Sequence, residues 1–411
     1  MLPARRDMLS QSPGSATALA AQVEHVGNQN DDDDKQDLDH GGSLPGTQGI
    51  LPVTGAGLMI LRAGPGALEH LRRDGLAPGD VAAVPAAAGG PKGLALLPLD
   101  RLLSGEWLRP SGTAIELLGA SVGAWRMAAL AQPDPLAALD RLQYAYVHAQ
   151  NYSGRPSPEE VATACRRIAR AVLGGRPFAV RDGFSLTVIT SLARGPLQAR
   201  ESKLAFARAT LSNAVARERL AAHLERVLFV AGPPGFMVEP FDAFGLVRVA
   251  LDDRNAEDAL LASGTIPLVC SPVRDIAGAP PGNYWDGALV DYHLLLPYPR
   301  LTRAGGRRRI VLYPHFNDYV TPGWLDKHLP WRRSPRGHPW LEDMLLVSPS
   351  PAFLARLPNG KLPDRQDFYR YGADHAGRIR DWERAIGECE RFAEAVLRWM
   401  EHPDPTLLQP I

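Results

Sequence analysis

Residues 113–131 read TAIELLGASVGAWRMAALA. Thr113 to Leu118 is largely apolar and predicts a buried strand. Gly119 to Gly123 interrupts it with a glycine on each side of a serine. Ala124 to Ala131 is then a run of helix formers, closed by Pro133 and Pro135. The same grammar stands just upstream, where Asp80 to Ala88 is an apolar run ending at Gly89-Gly90 and Lys92 to Leu103 carries apolar residues at helical spacing. Two successive strand–glycine turn–helix units predict an α/β protein with a mainly parallel sheet.

Outward from this pair the alternation continues. A short helix is expected over Ala67 to Asp74. Ser157-Pro158-Glu159-Glu160 opens another with a capping serine, a first-turn proline and a capping-box glutamate. Strands are expected at Phe184 to Leu192, Val227 to Val230, Leu246 to Ala250 and Arg309 to Tyr313, with Tyr284 to Tyr292 a strand or turn. Helices are expected at Glu201 to Glu225, Arg254 to Ser263 and Asp381 to Glu401. Residues 318–365 are irregular and hold Trp324, Trp331 and Trp340 among arginines and prolines. Such a stretch reads as a surface loop packing its tryptophans inward, or as a lid suited to a lipid–water boundary.

The bulk numbers exclude several classes. With 45 Lys+Arg against 45 Asp+Glu the formal net charge is zero, and no basic stripe suits a nucleic acid. The three cysteines, Cys165, Cys270 and Cys389, are odd in number and far apart, with no C-x-x-C spacing, so neither a metal site nor a disulfide framework is expected. A reducing, cytoplasmic compartment follows from that usage. No run reaches the roughly 18 apolar residues of a membrane span, and the patch Ala18 to Val23 does not make a secretory signal. Residues 1–55 are polar and expected to be disordered; the run Asp31-Asp32-Asp33-Asp34-Lys35 fits an engineered cleavage scar, and Met59 fits a later start.

Gly119-Ala120-Ser121-Val122-Gly123 fits G-x-S-x-G, the turn that exposes a nucleophilic serine between strand and helix; an ordinary tight turn would look alike. The glycines leave room for neighbouring backbone, and the following helix N-terminus favours a developing oxyanion. Upstream, Gly89-Gly90-Pro91-Lys92-Gly93 offers backbone N–H donors at a helix start. The amides of Gly89, Gly90, Lys92 and Gly93 are the candidate oxyanion hole, Pro91 having no N–H. Neither phosphate-loop pattern is met, and Lys92 is expected to face a phosphate head group or a surface carboxylate. For a base there are two classes. The downstream histidines His293, His315, His328, His338 and His375 would complete a Ser–His–Asp triad. Asp286 in Asp286-Gly287-Ala288 would act alone if burial raised its proton affinity, although Asp-Gly is also a common turn pair.

Taken in order, the loop Gly89 to Gly93, the elbow Gly119 to Gly123, the stretch Ala262-Ser263-Gly264-Thr265-Ile266-Pro267 and the late Asp286-Gly287-Ala288 resemble the patatin-like phospholipase family over about residues 58–315. The resemblance implies a three-layer α/β/α fold in which Ser121 is nucleophile, Asp286 the base and residues 89–93 the oxyanion hole. It implies hydrolysis of lipid acyl esters through an acyl-enzyme, with no metal or organic cofactor. A catalytic domain over 56–317 is then followed by an extension, 318–411, with its last helix packed on the domain. The chain departs from the family pattern at Ala88, where a glycine is usual, and at Asp291-Tyr292-His293, where an asparagine before proline is usual. The A-G-G-P-K loop and G-A-S-V-G-A-W elbow are similar to those of bacterial intracellular polyester depolymerases, making poly(3-hydroxybutyrate) an alternative substrate. The expected partners are a lipid or polyester and, transiently, a membrane or granule surface. A catalytically silent binding protein on the same fold is the remaining reading.

Overall fold

The structure, a computed structural model, describes residues 55–411 except 111, 153, 200–202, 234, 305 and 334–336. The expectation of disorder for residues 1–55 lies, Gly55 apart, outside this range.

Among the described residues eleven strands form one mixed sheet. In chain order they are β1 (Met59–Ala63), β2 (Val81–Ala86), β3 (Ile115–Ala120), β4 (Phe184–Ala193), β5 (Leu224–Ala231), β6 (Leu246–Ala250), β7 (Val273–Arg274), β8 (Asn283–Asp286), β9 (Ile310–Pro314), β10 (Met344–Pro349) and β11 (Leu408–Pro410). The lateral order is β11-β1-β10-β9-β2-β3-β4-β5-β6, and the run from β10 to β4 is parallel throughout. β2, β3, β4, β9 and β10 are buried along their whole length. This is why they read as continuous apolar runs and not as alternating ones.

The longer helices are α1 (Pro65–Asp74), α2 (Leu97–Leu102), α3 (Val122–Leu130), α4 (Pro135–His148), α5 (Pro158–Leu173), α6 (Lys203–Val215), α7 (Ala256–Ser263), α8 (Gln366–Tyr371) and α9 (His375–Glu401). α3, which follows the elbow, is buried at every position. Arg126 on this helix forms a two-pronged pair with Asp100 of α2 at 2.7 and 2.8 Å, each side chain 1% exposed. The capping box of α5 is present: Ser157 Oγ accepts from Glu160 N–H, and Glu160 accepts from Ser157 N–H.

Four expectations change. The helix expected over 92–103 is a 3-10 turn, Gly90–Leu96, before α2. The helix expected over 201–225 stops at Val215, because Ala216 is extended (φ −159°) and Leu224 already belongs to β5. Pro135 does not merely close the preceding helix; with Asp134 accepting from Ala137 N–H, it opens α4. The region 318–411 is not an extension packed on a finished domain, since β10 lies inside the sheet between β1 and β9, and β11 pairs with β1.

The junction that matters lies on β4. Its first half pairs with parallel β3, the last rung being Ala120 opposite Ile189. There β3 ends, and the same strand is met by β8 running the other way, beginning with Asp286 opposite Thr190. Two chain segments thus arrive end to end along β4, and Asp286 occupies the rung after that of Ala120, the residue before Ser121. A side chain at Gly287 would overlap the Ile189 carbonyl, so the turn after Asp286 passes close only because the residue is glycine.

Candidate active site

Ser121 is the first residue beyond β3 and caps α3 with φ 57° and ψ −133°, backbone that a non-glycine residue rarely adopts. The surroundings hold it there. A Cβ on Gly119 would collide with the Gly123 backbone, and one on Gly123 with the Ala86 carbonyl, so both elbow glycines are needed for close approach. Ser121 N–H donates to Ser263 Oγ at 2.9 Å, and Ser263 Oγ donates to the Ile189 carbonyl at 2.8 Å. Two residues on, the Thr265 carbonyl accepts from Asp286 N–H at 2.8 Å. The stretch 262–267 therefore grips both the serine and the aspartate.

Asp286 is 4% exposed and Ser121 5%. Burial pushes the Asp286 carboxyl up to about 6, against the pull of the Ala288 N–H, the Ser121 side chain and the positive charge of Arg365. Ala288 N–H donates to Asp286 Oδ1 at 2.8 Å, which fixes the rotamer, and the Ser121 side chain lies close enough to favour the charged carboxylate.

Two cavities meet at Ser121. The smaller, about 30 Å³, is bordered by Gly89, Ser121, Ile266, Asp286, Trp324 and Lys327, and has room for a water molecule or two. The larger, about 530 Å³, is bordered mainly by apolar groups such as Trp125, Tyr152, Val161, Leu268 and Phe368. Ser121, Ile266 and Arg365 border both.

Of the expected oxyanion donors, Gly89 and Gly90 reach the cavity walls, Gly90 with φ 56°. Lys92 and Gly93 do not: Lys92 N–H donates to the Gly89 carbonyl at 3.3 Å, and Gly93 packs against Val122 and Arg126. The Lys92 ammonium lies 6.0 Å from the Phe316 ring centre. Val122, at the first turn of α3, borders the larger cavity, and its N–H was not singled out in the sequence. It is the donor that a helix N-terminus supplies beside a nucleophile.

The histidines are elsewhere. His293 and His315 are wholly buried, meet edge to face with ring centres 4.3 Å apart, and border neither cavity. Burial holds His293 well below the ordinary histidine range and His315 down to about 3, so both are neutral. His338 packs on Trp340, and His328 is exposed. His375 borders the larger cavity. Among the described residues no group of three or more His, Cys, Asp or Glu is arranged to hold a metal ion, and no helix is long and apolar enough to cross a membrane.

The tryptophans of the irregular segment separate. Trp324 borders the small cavity, Trp340 packs edge-on against Phe241, and Trp331 is 74% exposed. Arg365 carries no sequence motif for its place here, whereas Val122 lies inside the elbow motif and Ser263 inside a stretch whose resemblance was visible.

A strained, buried serine beside a carboxyl of raised proton affinity, with backbone N–H groups and an apolar cavity around it, is equipped for nucleophilic attack on a carbonyl. In comparison with known proteins, the chain matches no family model and no curated protein.

Proposed function

We propose that this protein is a serine hydrolase of carboxylic esters, with Ser121 as nucleophile and Asp286 as the only protein base, on a three-layer patatin-like α/β/α fold. The observation that carries the reading is the end-to-end meeting of β3 and β8 along β4, which sets a buried carboxyl beside a strained serine. No histidine is needed by this geometry.

The steps follow from the groups present. Asp286 takes the Ser121 hydroxyl proton as Oγ attacks the carbonyl carbon, and the carbonyl π electrons move to oxygen. That oxyanion is met by N–H groups of the 89–90 turn and of Val122. Collapse re-forms the carbonyl and breaks the ester C–O bond, and Asp286 returns its proton to the leaving alkoxide, leaving Ser121 acylated. A water in the small cavity then gives its proton to Asp286 and attacks the acyl carbon, and the reverse transfer frees the acid and the serine. The larger cavity accommodates the acyl chain. Three unpaired cysteines, all buried, accord with a reducing, cytoplasmic setting.

Ser121→Ala and Asp286→Ala should each lower kcat by about three orders of magnitude or more on p-nitrophenyl esters while the fold is kept. A fluorophosphonate should label Ser121 in the wild type; folded protein that takes no label would point to a binding protein instead. Fatty acid from phospholipid vesicles supports a lipid substrate, and hydroxy acid from amorphous polyester granules supports the polyester one.

A further inference from the structure

Arg365 borders both cavities of the site. Its flanking carboxylates are already engaged: Asp364 pairs with Lys361 at 2.6 Å and accepts from Gln366 N–H, and Asp367 pairs with the same lysine at 2.9 Å and accepts from Trp382 Nε1 at 2.8 Å. Among the described residues no carboxylate pairs with the Arg365 guanidinium and no acceptor takes its hydrogens. Yet the side chain is half-buried at the point where the two cavities join. It lies over the oxyanion turn, so that a Cβ on Gly90 would be 3.1 Å from Arg365 Nε. The larger cavity has two further basic groups on its wall, Arg155 and His375, and no Asp or Glu. The small one is bordered by Lys327 as well as Arg365, with Asp286 its one acidic residue.

A neutral acyl chain has no use for such basic groups, and although the Arg365 charge is felt at Asp286, no acceptor among the described residues takes the hydrogens of this half-buried guanidinium, which is unfavourable. The chain as a whole is charge-balanced, so the bias belongs to the cavity and not to the protein. Resting on the ester-hydrolase reading above, we propose that the natural substrate is an anionic ester. In this substrate a phosphate or carboxylate group stands a few bonds from the scissile carbonyl and is received by the Arg365 guanidinium. The planar fork of five donors suits either oxyanion bidentately. Arg365 then selects among esters according to the charge near the reacting centre, and Arg155 at the exposed rim draws the same charge inward.

The test uses two matched pairs of soluble esters with the full-length protein, following butanoate release: dibutanoylglycerol phosphate against dibutanoylglycerol, and β-butanoyloxybutanoate against its methyl ester. The wild type should prefer the anionic member of at least one pair. In Arg365→Ala the anionic-to-neutral ratio of kcat/KM should fall about tenfold to hundredfold, the range of a lost charge-assisted hydrogen bond. Arg365→Lys, which keeps the charge and loses the fork, should recover part of the ratio. Preference confined to the phosphate pair identifies a phospholipid-like substrate, and preference confined to the carboxylate pair a hydroxy-acid oligomer. Equal losses on charged and neutral esters would show the guanidinium acting on the tetrahedral oxyanion, and wild type favouring the neutral esters would leave it no selecting role. Either outcome overturns the proposal while the hydrolase reading stands. Turnover of none of the four esters, or turnover that survives Ser121→Ala, removes the hydrolase reading and this proposal with it.

Discussion

At the scale of single residues, the site turns on one carboxyl held in a place that disfavours its charge. Asp286 must be ionised to accept the serine proton, and burial raises its pKa from 3.8 to about 6. The activity kcat/KM should therefore rise with pH through an apparent pKa of about 6 and level off above it, which a pH–rate profile on a neutral ester checks. The same shift has the opposite sign for stability. A folded pKa above the unfolded one contributes stability that is fully present below about 3.8 and lost as pH rises through about 6. Asp286→Asn, neutral at every pH, should be inactive yet more stable than wild type at pH 8 by on the order of 3 kcal/mol, the gain vanishing toward pH 3. Denaturant unfolding at both pH values measures it, and equal stability of the two proteins at pH 8 would mean that the carboxyl is not buried. The serine and the aspartate were legible because glycines mark both turns. Arg365 was not, since nothing local distinguishes an arginine without a partner from one that has found its carboxylate.

At the scale of elements, the stretch 262–267 does more than precede the aspartate. Ser263 at the end of α7 bridges the Ile189 carbonyl of β4 and the Ser121 N–H, and Thr265 takes the Asp286 N–H, so one turn sets both reacting groups. Ser263→Ala leaves a buried donor and a buried acceptor unpaired, costing about 1–3 kcal/mol for each. It also frees the elbow to relax from φ 57°. The expected outcome is a kcat lower by about tenfold to hundredfold, with KM little changed, because misplacing a nucleophile by a fraction of an ångström acts on the transition state. A matching rise in KM at constant kcat would assign Ser263 to substrate binding instead. Elements such as β2, β3 and α5 could be read from apolar runs and caps. β1 and β10 escaped notice: Arg62 interrupts the first, and the second follows a proline-rich irregular stretch whose composition masks six buried residues. The meeting of β3 with β8 has no local signature at all, being a matter of which strand edge is free.

At the scale of the whole molecule, the expected boundary near residue 317 would have separated a catalytic domain from an appendage. The sheet order removes that boundary, because β10 lies between β1 and β9 and is buried along its length. α9 adds Trp382, Phe392 and Trp399 to the same core, and Arg365, Trp324 and Lys327 reach the site from this half of the chain. A protein ending at residue 317 would leave β1 and β9 without the strand that joins them, and their unpaired backbone edges would invite association. It would also expose the apolar surface that α9 covers. Such a truncation should show no cooperative thermal transition and should be recovered mainly as aggregate, whereas full-length protein melts cooperatively. Circular dichroism on heating, with size-exclusion chromatography, compares the two. A 56–317 fragment that melts cooperatively and hydrolyses esters in a Ser121-dependent way would show that the sheet closes without β10. It would also mean that the cations contributed by the later residues are accessory to the chemistry and not part of the site's foundation.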